Sequence, residues 1–517
     1  MKKTACLITV LLTAGAISHA QPSEVFVVSH DIDKEDARGI DIRSQMIRDG
    51  DGVIQVGIAG SSMNMEKKIS NLSFGIKLGR RDKDGRVVAE NKLENGNKVF
   101  GPILPSLLRE GGDIYLVYFQ LEGGDDPGNL KIFAARVDSA TLGLATPKEL
   151  MTVDLKKMGR FSVERFMKSH RLVLKSSADQ SRVALVWSTG IDNDISIGLF
   201  DDHLNRIWVK RETLKYEDPV ELSDVCADNT GKIFLSYKNS LGHDIYEGHL
   251  LIIGEKASTV DKNIRVPEGF PSEIKLAPIP SSRKLAVVGT YIIDGEVIDG
   301  VFQTALNMDD LNMKALKVMS VPDDALEFFR KDSWARNKKK ERGLFPIKML
   351  AFAASDGTVD MIGEFKRVQS GTEHINGFLL SGDVLWVHIA DGKAIFGRVP
   401  KIRVSTTNLI GSSFSVLAGK KGLFVFYNDT EANLRKDIQD EPSRSDHYND
   451  VVLVAATLGP GGEMRRQKIA DLSADHYVAV TEVIQPNDPD GIFVLFERIN
   501  GFGSVVGEAK WVAVALK

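Results

Sequence analysis

Cysteine is nearly absent: the 517-residue chain has two, Cys6 and Cys226. Once the leader that carries Cys6 is removed, no intramolecular disulfide can form, so burial must supply the stability. Aromatic residues make up 7% of the chain, no internal segment is long and apolar enough for a membrane helix, and no low-complexity tract marks a stalk. A net positive charge is also lacking, because the formal net charge is −4. That balance speaks against a nucleic-acid partner, which calls for a basic field. Gly-x-Ser-x-Gly, P-loop and His-Glu-x-x-His patterns are missing, so no catalytic residue, metal or cofactor is assigned.

What is present begins with a leader. Lys2 and Lys3 precede the apolar run Leu7 to Leu12, and Ser18-His19-Ala20 sets small residues at positions −3 and −1 before Gln21. The expectation is a signal peptide over residues 1–20 and one exported domain over 21–517, periplasmic or secreted from a bacterium.

The remainder repeats a turn followed by a strand. Asp49-Gly50-Asp51-Gly52 precedes Val53–Val56, Glu110-Gly111-Gly112-Asp113 precedes Ile114–Val117, and Asp228-Asn229-Thr230-Gly231 precedes Lys232–Leu235. About eight such units follow one another, each an Asp/Gly/Ser turn feeding a β-branched or aromatic run. Most continue into two further strands, as in Ile195–Phe200, the turn Asp201–Asn205, and Arg206–Lys210. A four-strand unit repeated at long period predicts an all-β propeller, eight blades being the first expectation and seven the next. Glu24–Val28 is expected to pair beside Trp511–Leu516 and close the ring. Serial β-sandwich domains are the rival arrangement.

These units resemble the generic β-propeller repeat superfamily, and Asp228–Tyr237 with Phe200–Trp208 is similar to repeats of exported bacterial propeller proteins of unassigned role. The resemblance spans nearly the whole chain after the leader and implies a fold. It transfers no catalytic residue, since the Trp-Asp dipeptide, the sialidase Asp box and the quinoprotein tryptophan motif are absent.

Long polar segments fall between second and third strands and between units, and so share one end of the disc. Asp323–Arg342 is expected to be a surface helix, acidic at its start, basic at its end, and docked through Leu326 and Phe329. Trp334, Lys338, Lys339 and Lys340 on it are the candidate binding residues for a protein or glycan of the envelope. His243, Asp244, Glu247 and His249 form a candidate metal cluster, against which stands the lack of a second linked histidine pair. Asp31 with Asp33, and Asp192 with Asp194, offer paired carboxylates, for which solvated turns are the plainer account. The reading is a non-catalytic binding or scaffolding propeller, with an exported glycoside hydrolase or lyase bearing a central carboxylate site as the alternative.

Overall fold

The computed structural model describes the strands and connections named below; residues 1–8, 11–24, 27–42, 60–74, 94–105, 155–170, 331–348, 370–377, 407–413, 446–449 and 500–504 are the main stretches outside that description. Every described sheet but one is built on four antiparallel strands that pair in chain order. Blade 1 comprises Arg43–Asp49, Gly52–Ala59, Gly75–Arg81 and Val87–Leu93, and blade 2 Ser106–Glu110, Asp113–Glu122, Asn129–Arg136 and Lys148–Asp154. Blade 3 is Arg171–Ser176, Arg182–Ser188, Asp194–Asp201 and Arg206–Thr213; blade 4 is Glu221–Ala227, Ile233–Gly242, Ile245–Ile253 and Val260–Ile264. Blade 5 is Phe270–Ile279, Lys284–Ile292, Gly300–Asn307 and Lys317–Ser320; blade 6 is Met349–Ala353, Val359–Gln369, Phe378–Ala390 and Lys393–Val399. Blade 7 is Phe414–Gly419, Gly422–Thr430, Val451–Leu458 and Met464–Asp471.

Complete blades therefore number seven rather than eight. The eighth sheet is a C-terminal unit of Tyr477–Ala479, Gly491–Ile499 and Val505–Leu516, with Gln485–Asn487 beside its second strand. Thr9–Val10, inside the expected leader, runs parallel to Val505–Leu516 at its outer edge. The expected closing strand lies elsewhere: Val25–Phe26 pairs with the first strand of blade 3, Phe26 opposite Val173 and Val25 opposite Leu174. Pairing depends on which edge is free, and the first strand of a blade has a free edge too.

Seven apolar cores join the eight sheets in order. In blade 3, Val183, Leu185 and Trp187 face blade 2, while Ala184 and Val186 face blade 4. A strand buried on both faces reads as one continuous apolar run, which is why no period-2 alternation marks it. Fourth strands do alternate, as in Arg206–Thr213, because one face meets water. Cys226 is buried between blades 4 and 5 as a small apolar filler.

Turn chemistry sets the register. Gly111 and Gly112, and Asp391 and Gly392, hold positive φ at both central positions of two-residue hairpins, the twist such loops need. Other turns are closed by a carboxylate: Asp228 accepts from Thr230 N and Lys232 N, and Asp201 from His203 N and Asn205 N. A seven-residue turn occurs twice, as Asp138-Ser-Ala-Thr-Leu142-Gly-Leu144 and Asn307-Met-Asp-Asp-Leu311-Asn-Met313. In both, the first N–H donates to the sixth carbonyl (2.9 Å) and the leucine has positive φ.

Asp323–Arg330 is helical, as expected, and Ala325 and Leu326 are buried against the core between blades 5 and 6. The rest of the expected helix lies outside the described residues.

Candidate functional site: a braced projecting sheet at the loop-bearing end

Connections from first to second and from third to fourth strands share one end of the disc, and those from second to third strands and between blades share the other. At that second end, blade 6 extends past its neighbours. Its third strand runs for 13 residues, from Phe378 to Ala390. The lower part, from Val384, pairs with the fourth strand of the blade, while Leu379–Ser381 pair with Arg403–Thr406. Arg403–Thr406 pair in turn with Arg444–Ser445, which come from the long connection of blade 7. Lys366–Gln369 flank the other side of Phe378–Ser381. A small sheet drawn from three separate connections thus projects from the disc.

The base of this projection explains its position. Between Glu364 and Lys366 the register shifts, so that two steps on the second strand span three on the third, through Gly382 and Asp383. Such a bulge bends a strand and raises its twist. Two buried ion pairs sit at the bend. Arg398 Nε donates to Asp383 at 2.6 Å, and Lys401 pairs with Glu364. All four side chains are no more than 4% exposed. The Lys401 N–H also donates to Asp383. Charges withdrawn from water this fully require partners in good geometry, and each has one.

The blade 7 connection is held by the same region. Buried Asp429 accepts from Ile402 N (3.1 Å), Thr430 N (2.8 Å) and Asn433 Nδ2 (2.6 Å). Thr430 caps the short helix Glu431–Leu434 by accepting from Asn433 N. Arg466 donates to the carbonyls of Asn433 and Lys436, and Arg398 to that of Ile438. Burial pushes the Asp429 carboxyl up to about 6, although these hydrogen bonds favour its charged form.

A second polar group lies between blades 3 and 4. Tyr237 stacks on His249, with ring centroids 4.9 Å apart, and its hydroxyl donates to Asp261 at 2.7 Å. The Tyr216 hydroxyl approaches that of Tyr237 at 3.1 Å and the His249 ring nitrogens at 3.2–3.3 Å. His249 also meets Glu247 and Asp261, each at 3.3 Å. Burial opposes protonation of His249, but the two carboxylates outweigh it and raise its pKa. Chemically this is an imidazole flanked by two carboxylates beside a phenol, with Asp261 and Glu247 at the solvent boundary.

Of the residues singled out from sequence, Trp334, Lys338, Lys339 and Lys340 lie outside the described residues, as do His243, Asp244, Asp31, Asp33 and Asp192. Glu247 and His249 do come together, but they join Asp261 and two tyrosines; among the described residues no cluster of His, Cys, Asp or Glu suited to a metal occurs. Asp194 serves structure, pairing with Arg211 and Thr213. Acids on first strands are likewise engaged: Glu110 by Ser176, and Asp224 by Lys175 and Leu276 N. Sequence reasoning missed the projecting sheet. Ser381-Gly382-Asp383 in the middle of Phe378–Ala390 reads as a turn, which hides the length of that strand.

No family model matches the chain, and no curated protein sequence does. Among solved structures it is similar to the β-propeller domain of the Trilobed protease from Pyrococcus furiosus, described as an open velcro topology, at 12% identity and TM-score 0.37, covering 83% of this chain and 95% of that one. It is also similar to the polysaccharide lyase Uly1 (9% identity, TM-score 0.38, 80% and 89% covered). A neuraminidase-like protein from A/bat/Guatemala/164/2009 matches at 8% identity and TM-score 0.33, with 80% and 88% covered. The protein is a β-propeller on its own strand pairing, and these distant likenesses add nothing about its chemistry. Among the described residues no helix is long and apolar enough to cross a membrane.

Proposed function

We propose that this chain is a binding or scaffolding propeller, exported through its leader and recognising a protein or glycan of the bacterial envelope with its loop-bearing end. One observation carries the reading: three connections assemble a projecting sheet whose base is locked by the buried pairs Glu364–Lys401 and Asp383–Arg398. A rigidly held surface loses little conformational entropy on binding, which is what recognition requires. Trp334 and Lys338 to Lys340 are proposed, from their charge and position in sequence, to extend that surface.

The test is capture from an envelope extract by immobilised protein spanning residues 21–517. Ser405→Trp, which places bulk on the projecting sheet, should abolish capture. Lys284→Ala and Lys393→Ala, beside the short hairpins of the opposite end, should leave it intact. Equal losses from both ends would refute a site at the loop-bearing end.

A second reading, an exported glycan-active enzyme, draws on the Tyr216–Tyr237–His249–Asp261 group rather than on a central carboxylate pair. Activity on envelope glycans that is lost in His249→Asn, with unchanged folding, would favour it.

A further inference from the structure

The polar group between blades 3 and 4 includes an orphan. Asn239 stands two residues after Tyr237 on the second strand of blade 4 and is the register partner of Glu247 on the third. Residues opposite one another share a face, as do residues two apart along a strand, so Asn239 lies on the face that carries Tyr237, Glu247 and His249 toward blade 3. Its side chain is 8% exposed, and its Oδ1 meets no hydrogen-bond partner among the described residues. Buried polar atoms are nearly always bonded, so an orphan of this kind calls for a group from outside the chain. The donors around it are turned on one another. Tyr237 gives its proton to Asp261, so Tyr216, 3.1 Å away, donates to Tyr237. Asn263 Nδ2 donates to Glu247, and His249 lies 3.3 Å from Glu247 and from Asp261. What stays open is acceptor: the carboxylates of Glu247 and Asp261, whose side chains are 36% and 37% exposed, and the buried Asn239 Oδ1.

We infer that this cleft binds a primary alkylammonium group, the end of an aliphatic polyamine or of a lysine side chain. Two carboxylates stand against a single imidazole, so the cleft carries negative charge whether or not His249 is protonated. Exposed Lys215, Glu217 and Asp218 flank Tyr216 and add one further negative charge. An ammonium brings one positive charge and three donors with no acceptor, the complement of two carboxylates and an unpaired amide oxygen. Those acceptors come from three adjacent strands of blade 4, which suits a compact, three-donor cation better than the planar fork of a guanidinium. A neutral hydroxyl offers one donor and no charge. Tyr216 meets His249 edge-on, with ring centroids 5.4 Å apart, and its partly exposed ring supplies an aromatic wall for the cation and its aliphatic stem. Asn193 holds that connection in place, donating to the Tyr216 carbonyl at 2.7 Å and accepting from Val220 N at 3.0 Å. The cleft is thus formed before a ligand arrives, which lowers the entropy lost on binding. It lies on different blades from the projecting sheet and requires no turnover, so it is independent of both functional readings.

Calorimetry on protein spanning residues 21–517 tests this with cadaverine, Nα-acetyl-lysine amide, Nα-acetyl-arginine amide and pentanediol. A primary amine should bind, and the arginine derivative and the diol should not bind comparably. Asn239→Leu removes the orphan acceptor, while Glu247→Gln removes a charge yet keeps an acceptor for Asn263. Each should weaken amine binding about tenfold to a hundredfold, as loss of a hydrogen bond to a charged group does. The control Glu217→Gln/Asp218→Asn removes two charges from exposed positions beside the cleft and should change binding by no more than about threefold. Urea midpoints show whether each variant folds, and Glu247→Gln carries the test should Asn239→Leu prove unstable. Binding of cadaverine alone identifies a free polyamine and binding of the lysine derivative alone a lysine side chain; either supports the inference. No amine binding by the parent, the arginine derivative or the diol bound as tightly as the amines, or a loss in the control equal to that in Glu247→Gln, would overturn it.

Discussion

Glu110 ends the first strand of blade 2 and is 1% exposed, buried against blade 3. Ser176 donates to its Oε1, while Oε2 meets no partner among the described residues. Burial raises its carboxyl to about 7, Ser176 opposes the rise, and nearby Asp202 adds to it. The sign follows from proton binding. The unfolded carboxyl ionises near 4.5, the folded one near 7, so the folded state holds the extra proton between them and stability falls as pH rises through that window. Integrated over it, the cost is a few tenths of a kcal/mol at pH 4, about 3 kcal/mol at pH 7, and nearly constant above pH 8. Glu110→Gln keeps the acceptor for Ser176 and removes the ionisation. Urea unfolding of both proteins at half-unit steps from pH 4 to 8.5 should show near-equal stability at pH 4 and a variant about 3 kcal/mol more stable at pH 8. A difference that is flat with pH, or that grows as pH falls, would refute the reasoning.

Lys401→Met removes the cation paired with the buried Glu364 carboxylate and should cost about 3–5 kcal/mol, while the double variant Glu364→Leu/Lys401→Met should recover most of it; denaturant midpoints decide, and no recovery would mean the pair is not the source. His388 Nδ1 lies 2.8 Å from Asp360, whose hydrogen bond raises the imidazole pKa against burial. Its stabilisation should be complete below the ordinary imidazole pKa of about 6.5 and lost as pH rises through the raised value. An NMR titration of His388 should show that raised value falling in Asp360→Asn; an unmoved one would contradict the pairing.

Local chemistry made much of the fold legible. Asp228-Asn-Thr-Gly and Glu110-Gly-Gly-Asp announce tight turns because a carboxylate can cap two N–H groups and glycine tolerates positive φ at both central positions. The runs after them, such as Val183–Trp187, announce strands buried on both faces. The start of the helix at Asp323 was readable from Pro322 and the acids that follow. The seven-residue turn around Leu142 and Leu311 was also readable, as a repeat that passes unnoticed unless the leucines are aligned.

The closing strand and the site were decided at longer range. Val25–Phe26 suits any free strand edge, and only the assembled disc shows that it pairs at Val173–Leu174. Glu364, Asp383, Arg398 and Lys401 look like ordinary surface charges in one dimension. They become a buried lattice because a bulge at Gly382–Asp383 turns the strand over them. Hairpin turns are settled by neighbours in sequence, and so composition reveals them. Shared faces, buried pairs and ring order depend on which distant edges meet, and that is settled by burial energy summed over the whole molecule.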